Sequence, residues 1–137
     1  MAAEQVPTPA GRQLNVAEDI DWELVRELAA RVEAGEALVL TPDVRGLLLR
    51  SAHQVAIAEP DAQAAVHDEG TATALLREVR TRIREGSLRL GLTEMRARDL
   101  ARAGDTAGAR KLLEDLLAVE VVPLYLEEAK LALEELD

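Results

Sequence analysis

The chain has 137 residues, enough for one domain with a real core, and carries a net charge of −10 from 26 acidic and 16 basic side chains. It has no cysteine, which excludes disulfides and thiolate chemistry. Its only aromatics are Trp22 and Tyr125, so the core must be built from Leu, Val and Ala, as suits helices. No apolar run approaches the ~20 residues of a membrane span, and the N-terminus lacks the basic-then-apolar order of a signal peptide, so the expected location is cytoplasmic.

Residues 1–16 hold Pro7, Pro9 and Gly11 with little apolar content, and are predicted to be a flexible tail. Residues 17–137 are predicted to form a single helical domain. Asp19 or Asp21 caps the first helix, which runs through Ala34 with Leu24, Val25, Leu28 and Val32 as its apolar stripe, and Gly35 ends it. Residues 36–40 are short and apolar. A strand needs a partner strand and none is evident, so this segment reads as a connection that buries its leucines. Thr41-Pro42-Asp43 is a helix start: a capping hydroxyl, a proline at the first helical position and an acid in the first turn. That helix is expected to run to about Ala58, where Glu59-Pro60-Asp61 breaks it, with a short helix from Pro60 to about His67.

The longest continuous pattern covers residues 71–103. Leu76, Ile83, Leu90 and Ala97 recur every seven residues, with Val79, Gly86, Thr93 and Leu100 three residues on, which is the spacing of a helix burying one seam. Thr71 is the expected N-cap, and Gly104-Asp105 the stop. Glu78 with Arg82, Glu85 with Arg89 and Glu94 with Arg98 are spaced as favourable i,i+4 pairs, each worth roughly 0.2–0.5 kcal/mol. Gly86 and Gly91 each cost roughly 1 kcal/mol against alanine inside a helix. Either the helix bends or breaks near Gly86, or the glycines let a neighbouring helix come close; the unbroken helix is the preferred reading. Leu88, Leu92 and Met95 form a second apolar line, which predicts that the C-terminal half packs between neighbours.

Ala109, Leu112, Leu113, Leu116 and Leu117 fall on one face of a helix over about residues 106–119. Pro123 starts or kinks a last helix, lined by Val122, Leu126, Ala129 and Leu133. The expected fold is therefore all-α: a bundle of four to five mostly antiparallel helices around one long central helix.

Charge is unevenly placed. Residues 1–70 carry 13 acidic and 5 basic side chains, net −8. Residues 71–111 carry 5 and 10, net +5, and residues 112–137 carry 8 and 1, net −7. A basic middle between acidic ends implies internal pairing first and a partner second. Arg82, Arg89 and Arg96 recur at seven-residue spacing and form a candidate interaction surface, read either as a phosphate- or acid-binding stripe or as intramolecular pairing. The strongly negative total and the lack of stacking aromatics weigh against nucleic acid.

Other chemistry finds little support. His53 and His67 have no second His or Cys at ligand spacing, Ser51 and Ser87 have no triad context, and Gly86 and Gly91 match no phosphate loop. Neither a catalytic residue, a cofactor site nor a metal site is assigned, and an enzyme is not expected.

Two resemblances add to this reading. Residues 97–123 resemble one tetratricopeptide repeat, with Gly104-Asp105 at the turn and Ala109 five residues after the glycine. The repeat's Trp and Leu-Gly signals are missing and there is no second copy, so this reads as a helical hairpin of similar geometry. Asp19-Ile20-Asp21-Trp22, the run Leu38 to Arg45, the run Thr71 to Val79, Arg82 to Ser87, and Ala118 to Tyr125 resemble the DUSAM family, small paralogous proteins of myxobacteria. That resemblance covers about residues 19–137. It implies a soluble bacterial protein and brings no activity, substrate or catalytic residue. The expected function is a non-catalytic protein-interaction or regulatory module. The alternatives are a nucleic-acid-associated regulator using the arginine stripe, or an immunity or antitoxin protein.

Overall fold

The computed structural model describes residues 22–137, so the tail expected over residues 1–16 and the caps expected at Asp19 or Asp21 lie outside the described residues. The described residues form six helices and no strand: α1 (Trp22–Glu33), α2 (Pro42–Gln54), α3 (Glu59–Ala65), α4 (Glu69–Arg102), α5 (Thr106–Val119) and α6 (Pro123–Leu136). The all-α bundle is as expected, with the short α3 counted as a sixth helix. No helix among the described residues is long and apolar enough to cross a membrane.

Local signals place most of the helix ends. Thr41 Oγ1 accepts from the Val44 amide at 3.1 Å, and Pro42 follows in the first turn. After α1 and α4 the chain turns through Gly35 (φ 105°) and Gly104 (φ 91°), a left-handed geometry that glycine adopts without steric cost. In both, the next amide reaches back to close the last turn: Glu36 N donates to Arg31 O, and Asp105 N donates to Leu100 O.

Three boundaries differ from the sequence expectation. Helix α2 stops at Gln54, four residues short of Ala58, because Ala56 takes φ 67° and the same closure forms there, with Ile57 N donating to Ala52 O at 2.9 Å. Alanine carries no sequence signal for that turn. Helix α3 is shifted to Glu59–Ala65. Helix α4 begins three residues early, because its cap is Asp68 in place of Thr71, and the Asp68 side chain accepts from Thr71 N. The Thr71 hydroxyl instead donates to Ala65 O at 2.7 Å, tying α4 to the end of α3.

Helix α4 is unbroken over 34 residues, about 50 Å at 1.5 Å per residue, and touches each of the other five helices. Its predicted seam is the spine of the core: Leu76, Val79, Ile83, Gly86, Leu90 and Ala97 are buried. Helix α1 runs antiparallel to it, since Glu33 at one end lies beside Arg77 and Trp22 at the other packs on Tyr125, which rests against Gly86. Leu38 of the connection is buried and Leu40 packs against the core, while Val39 between them is exposed, so the segment buries its leucines without becoming a strand.

The main cluster joins α1, α2, α3 and the first two-thirds of α4 to Leu116, Val122, Tyr125 and Ala129. A smaller cluster of Ala97, Ala109 and Leu113, backed by Leu100 and Leu133, closes the far end. Leu112 and Leu126, placed by their spacing on the apolar faces of α5 and α6, are half-buried and belong to neither cluster. One expectation fails. Leu88, Leu92 and Met95 are exposed rather than packed between neighbours, because α5 and α6 both lie on the seam side of α4 and leave its back uncovered.

Leu116 lies in the main cluster at 4 % exposure, so Leu116→Ala should lower stability by about 2–5 kcal/mol in denaturant unfolding. A loss below about 1 kcal/mol would place the residue at the surface.

Candidate functional site

Gly86 is where the two halves of the bundle meet. A Cβ built there would lie 2.6 Å from Tyr125 Cδ2 and 3.1 Å from Glu120 Oε2, so the ring of α6 sits directly on the bare backbone of α4. The Tyr125 hydroxyl donates to Ile83 O at 3.0 Å, and Trp22 meets the same ring edge-on with centroids 5.8 Å apart. Trp22 Nε1 in turn donates to Gln54 Oε1 at 3.1 Å, so α1, α2, α4 and α6 are joined through two aromatic residues. The close-approach reading of Gly86 is the one realised.

Glu120 completes this junction. Its side chain is fully buried. Oε2 accepts from the Val121 and Val122 amides at 3.0 Å each, holding the entry to α6, and Oε1 accepts from Arg89 Nη2 at 3.2 Å. Burial raises the Tyr125 hydroxyl above its ordinary value of 10.0, with Glu120 and Glu128 adding to the effect against a hydrogen bond from Ser87.

The arginine stripe is divided among three environments. Arg82 pairs with Glu78 at 2.8 Å as spaced, and its Nη1 also donates to Val55 O at 2.9 Å, closing the C-terminus of α2. Arg89 turns away from Glu85 to the buried Glu120. Arg96 is exposed. No ion pair within 4.0 Å joins Glu94 to Arg98; Glu94 faces Glu128, whose carboxyl is raised by burial first and by that charge second. Ser51 is buried with no partner for its Oγ, and His53 and His67 are exposed. Among the described residues, no three His, Cys, Asp or Glu side chains gather as a metal site would require.

A concave surface lies elsewhere, between α1 and the N-terminal half of α4. It is a groove of about 500 Å³ with an apolar floor of Ala29, Ala30, Val32 and Leu76, rimmed by Arg26, Arg77, Arg80 and Arg84 against the single carboxylate Glu33. Arg26 pairs with Glu23 at 3.0 Å and Arg77 with Glu33 at 3.7 Å, both in solvent where such pairs are weak. Arg80 and Arg84 have no ion-pair partner among the described residues. The groove arginines of α4 stand at i, i+3 and i+7, a spacing visible in the sequence. The seven-residue line of Arg82 and Arg89 lies nearer the core seam, which is why those two charges are consumed by pairing.

Gly86→Ala should lower stability by about 1–3 kcal/mol, despite alanine's better helix propensity, because the Tyr125 ring is held by two neighbours and cannot retreat. Denaturant unfolding would measure this, and a gain would mean the ring moves freely. Tyr125 also sets an alkaline limit. Its folded value is raised, so its contribution is fully present below the ordinary pH 10.0 and is lost as pH rises through the folded value. Stability should fall from about pH 10 upward. Tyr125→Phe should remove that part of the fall while losing about 1 kcal/mol at neutral pH with the hydrogen bond to Ile83.

One family model matches residues 20–136, and its family is described as a protein of unknown function, DUF2379. No curated protein and no solved structure matches the chain.

Proposed function

Because the chain belongs to the DUF2379 family, whose function is unknown, we propose its role from the groove itself: a non-catalytic interaction module that takes an acidic segment of a partner protein between α1 and α4. The observation that carries this reading is four arginines around an apolar floor in a chain whose net charge is −10. Cations gathered against the overall sign of the molecule favour a local anionic partner. The apolar floor favours side chains over bare phosphate, and together they suit an amphipathic acidic helix laid in a groove. A long nucleic acid would meet the repulsion of the surrounding acids and no stacking aromatics. The same proposal includes the finer DUSAM identity and a bacterial cytoplasmic location.

The test is recovery of partners on the immobilised full chain from cell extract, compared with the Arg77→Gln/Arg80→Gln variant. A protein whose acidic peptide binds the wild type, and binds the variant about tenfold more weakly, supports the proposal. Undiminished binding by the variant would sink it. Nuclease-sensitive recovery of RNA or DNA would promote the regulator that uses Arg82, Arg89 and Arg96. A single toxin-like partner held without the groove arginines would promote the immunity reading.

A further inference from the structure

Beyond the groove, the outward face of α4 carries features that the fold of one chain does not explain. Leu88, Leu92 and Met95 stand at i, i+4 and i+7 and are 63 %, 41 % and 49 % exposed. Gly91 lies among them, and a Cβ added there would meet nothing within 4 Å. Gly86 must be bare because Tyr125 rests on it, whereas nothing among the described residues requires a glycine at 91, where alanine would make the better helix. On the same face, one turn before Leu88, is the exposed Arg84. One turn after Met95 is Asp99, whose one ion pair among the described residues, with Arg102, is a loose 4.0 Å contact in solvent.

These positions are symmetric about the peptide bond between Gly91 and Leu92: Gly91 mirrors Leu92, Leu88 mirrors Met95, and Arg84 mirrors Asp99. We infer that α4 pairs antiparallel with α4 of a second copy of this chain, through a two-fold interface in which the same face serves both partners. Leu92 of each copy fills the gap over Gly91 of the other, Leu88 packs on Met95, and Arg84 meets Asp99 at both ends. The large side chain opposite the missing one, and the opposite charges brought together by the same axis, specify a second copy over an unrelated partner. They also specify the direction, since a parallel pair would set Arg84 against Arg84 and Asp99 against Asp99. The paired stretch, from Arg84 to Asp99, is about 22 Å long at 1.5 Å per residue.

Sedimentation of the full chain at about 150 mM salt, over a range of concentrations, tests the pairing. The expected result is a monomer–dimer equilibrium in the micromolar range. Leu92→Glu, at an exposed position, should keep the wild-type helix content and weaken the dimer about a hundredfold or more. Arg84→Glu and Asp99→Arg should each weaken it about tenfold, and the two together should restore it to within about threefold of wild type. The Arg77→Gln/Arg80→Gln variant should dimerise as wild type does, since the paired face shares only Arg84 with the groove rim. A wild-type monomer at about 100 μM, beyond the weak end of specific association, would overturn the inference. So would a dimer indifferent to Leu92→Glu, or a double charge reversal that fails to rescue. A full-length monomer that dimerises only after residues 1–16 are removed would also overturn it, by making the chain's own N-terminal segment the occupant of this face.

Discussion

The bundle depends on the contact between the Tyr125 ring and the backbone of α4 at Gly86. A helix of 34 residues has no tertiary reason to hold neighbours at one level along its length unless something sets their depth and register. Here a bare turn lets an aromatic ring settle where any side chain would stand, and the hydroxyl fixes its height through Ile83 O. Trp22 then packs on the outer side of the ring and ties down the start of α1, while Glu120 holds the backbone that delivers Tyr125. Two aromatics and one buried carboxylate thus join the helices before α4 to those after it. The core around them is otherwise built from aliphatic side chains, Leu, Val, Ile and Ala, which pack without hydrogen bonds.

The charges divide by distance from this junction. Arginines whose positions turn toward the seam are drawn into it: Arg82 closes the end of α2, Arg45 donates to Val66 O after α3, and Arg89 neutralises Glu120. Each satisfies a group whose burial without a partner would be costly. Arginines of α4 nearly half a turn away from Arg82 and Arg89, at 77, 80 and 84, line the groove beside α1. The basic middle of the sequence therefore serves two purposes, and helical phase decides which residue serves which.

Helix α4 also presents two kinds of surface along one outward strip. Its first half faces a groove with a charged rim, the surface that the proposed acidic segment would occupy. Its second half is apolar with a charge at each end, suited to a more permanent contact. Pairing through the second half would join two grooves in one assembly, with Arg84 at the boundary between each groove rim and the paired face.

Much of the fold is fixed by local rules acting within a few residues. The seven-residue seam specifies α4, Thr41-Pro42-Asp43 starts α2, and Gly35 and Gly104 end α1 and α4, because spacing, capping hydroxyls and left-handed turns are properties of neighbours in the chain. The tertiary structure decided what depends on residues far apart. Ala56 turns left-handed without any local preference for it, Asp68 displaces Thr71 as the cap because the Thr71 hydroxyl is engaged by α3, and Arg89 chooses Glu120, 31 residues away, over Glu85, four residues away. The groove was hidden for the same reason. Its arginines have a helical spacing, but only the placing of α1 beside α4 turns that spacing into a rimmed cavity. Periodicity tells which face of a helix is polar, and packing alone tells whether that face is paired, grooved or bare.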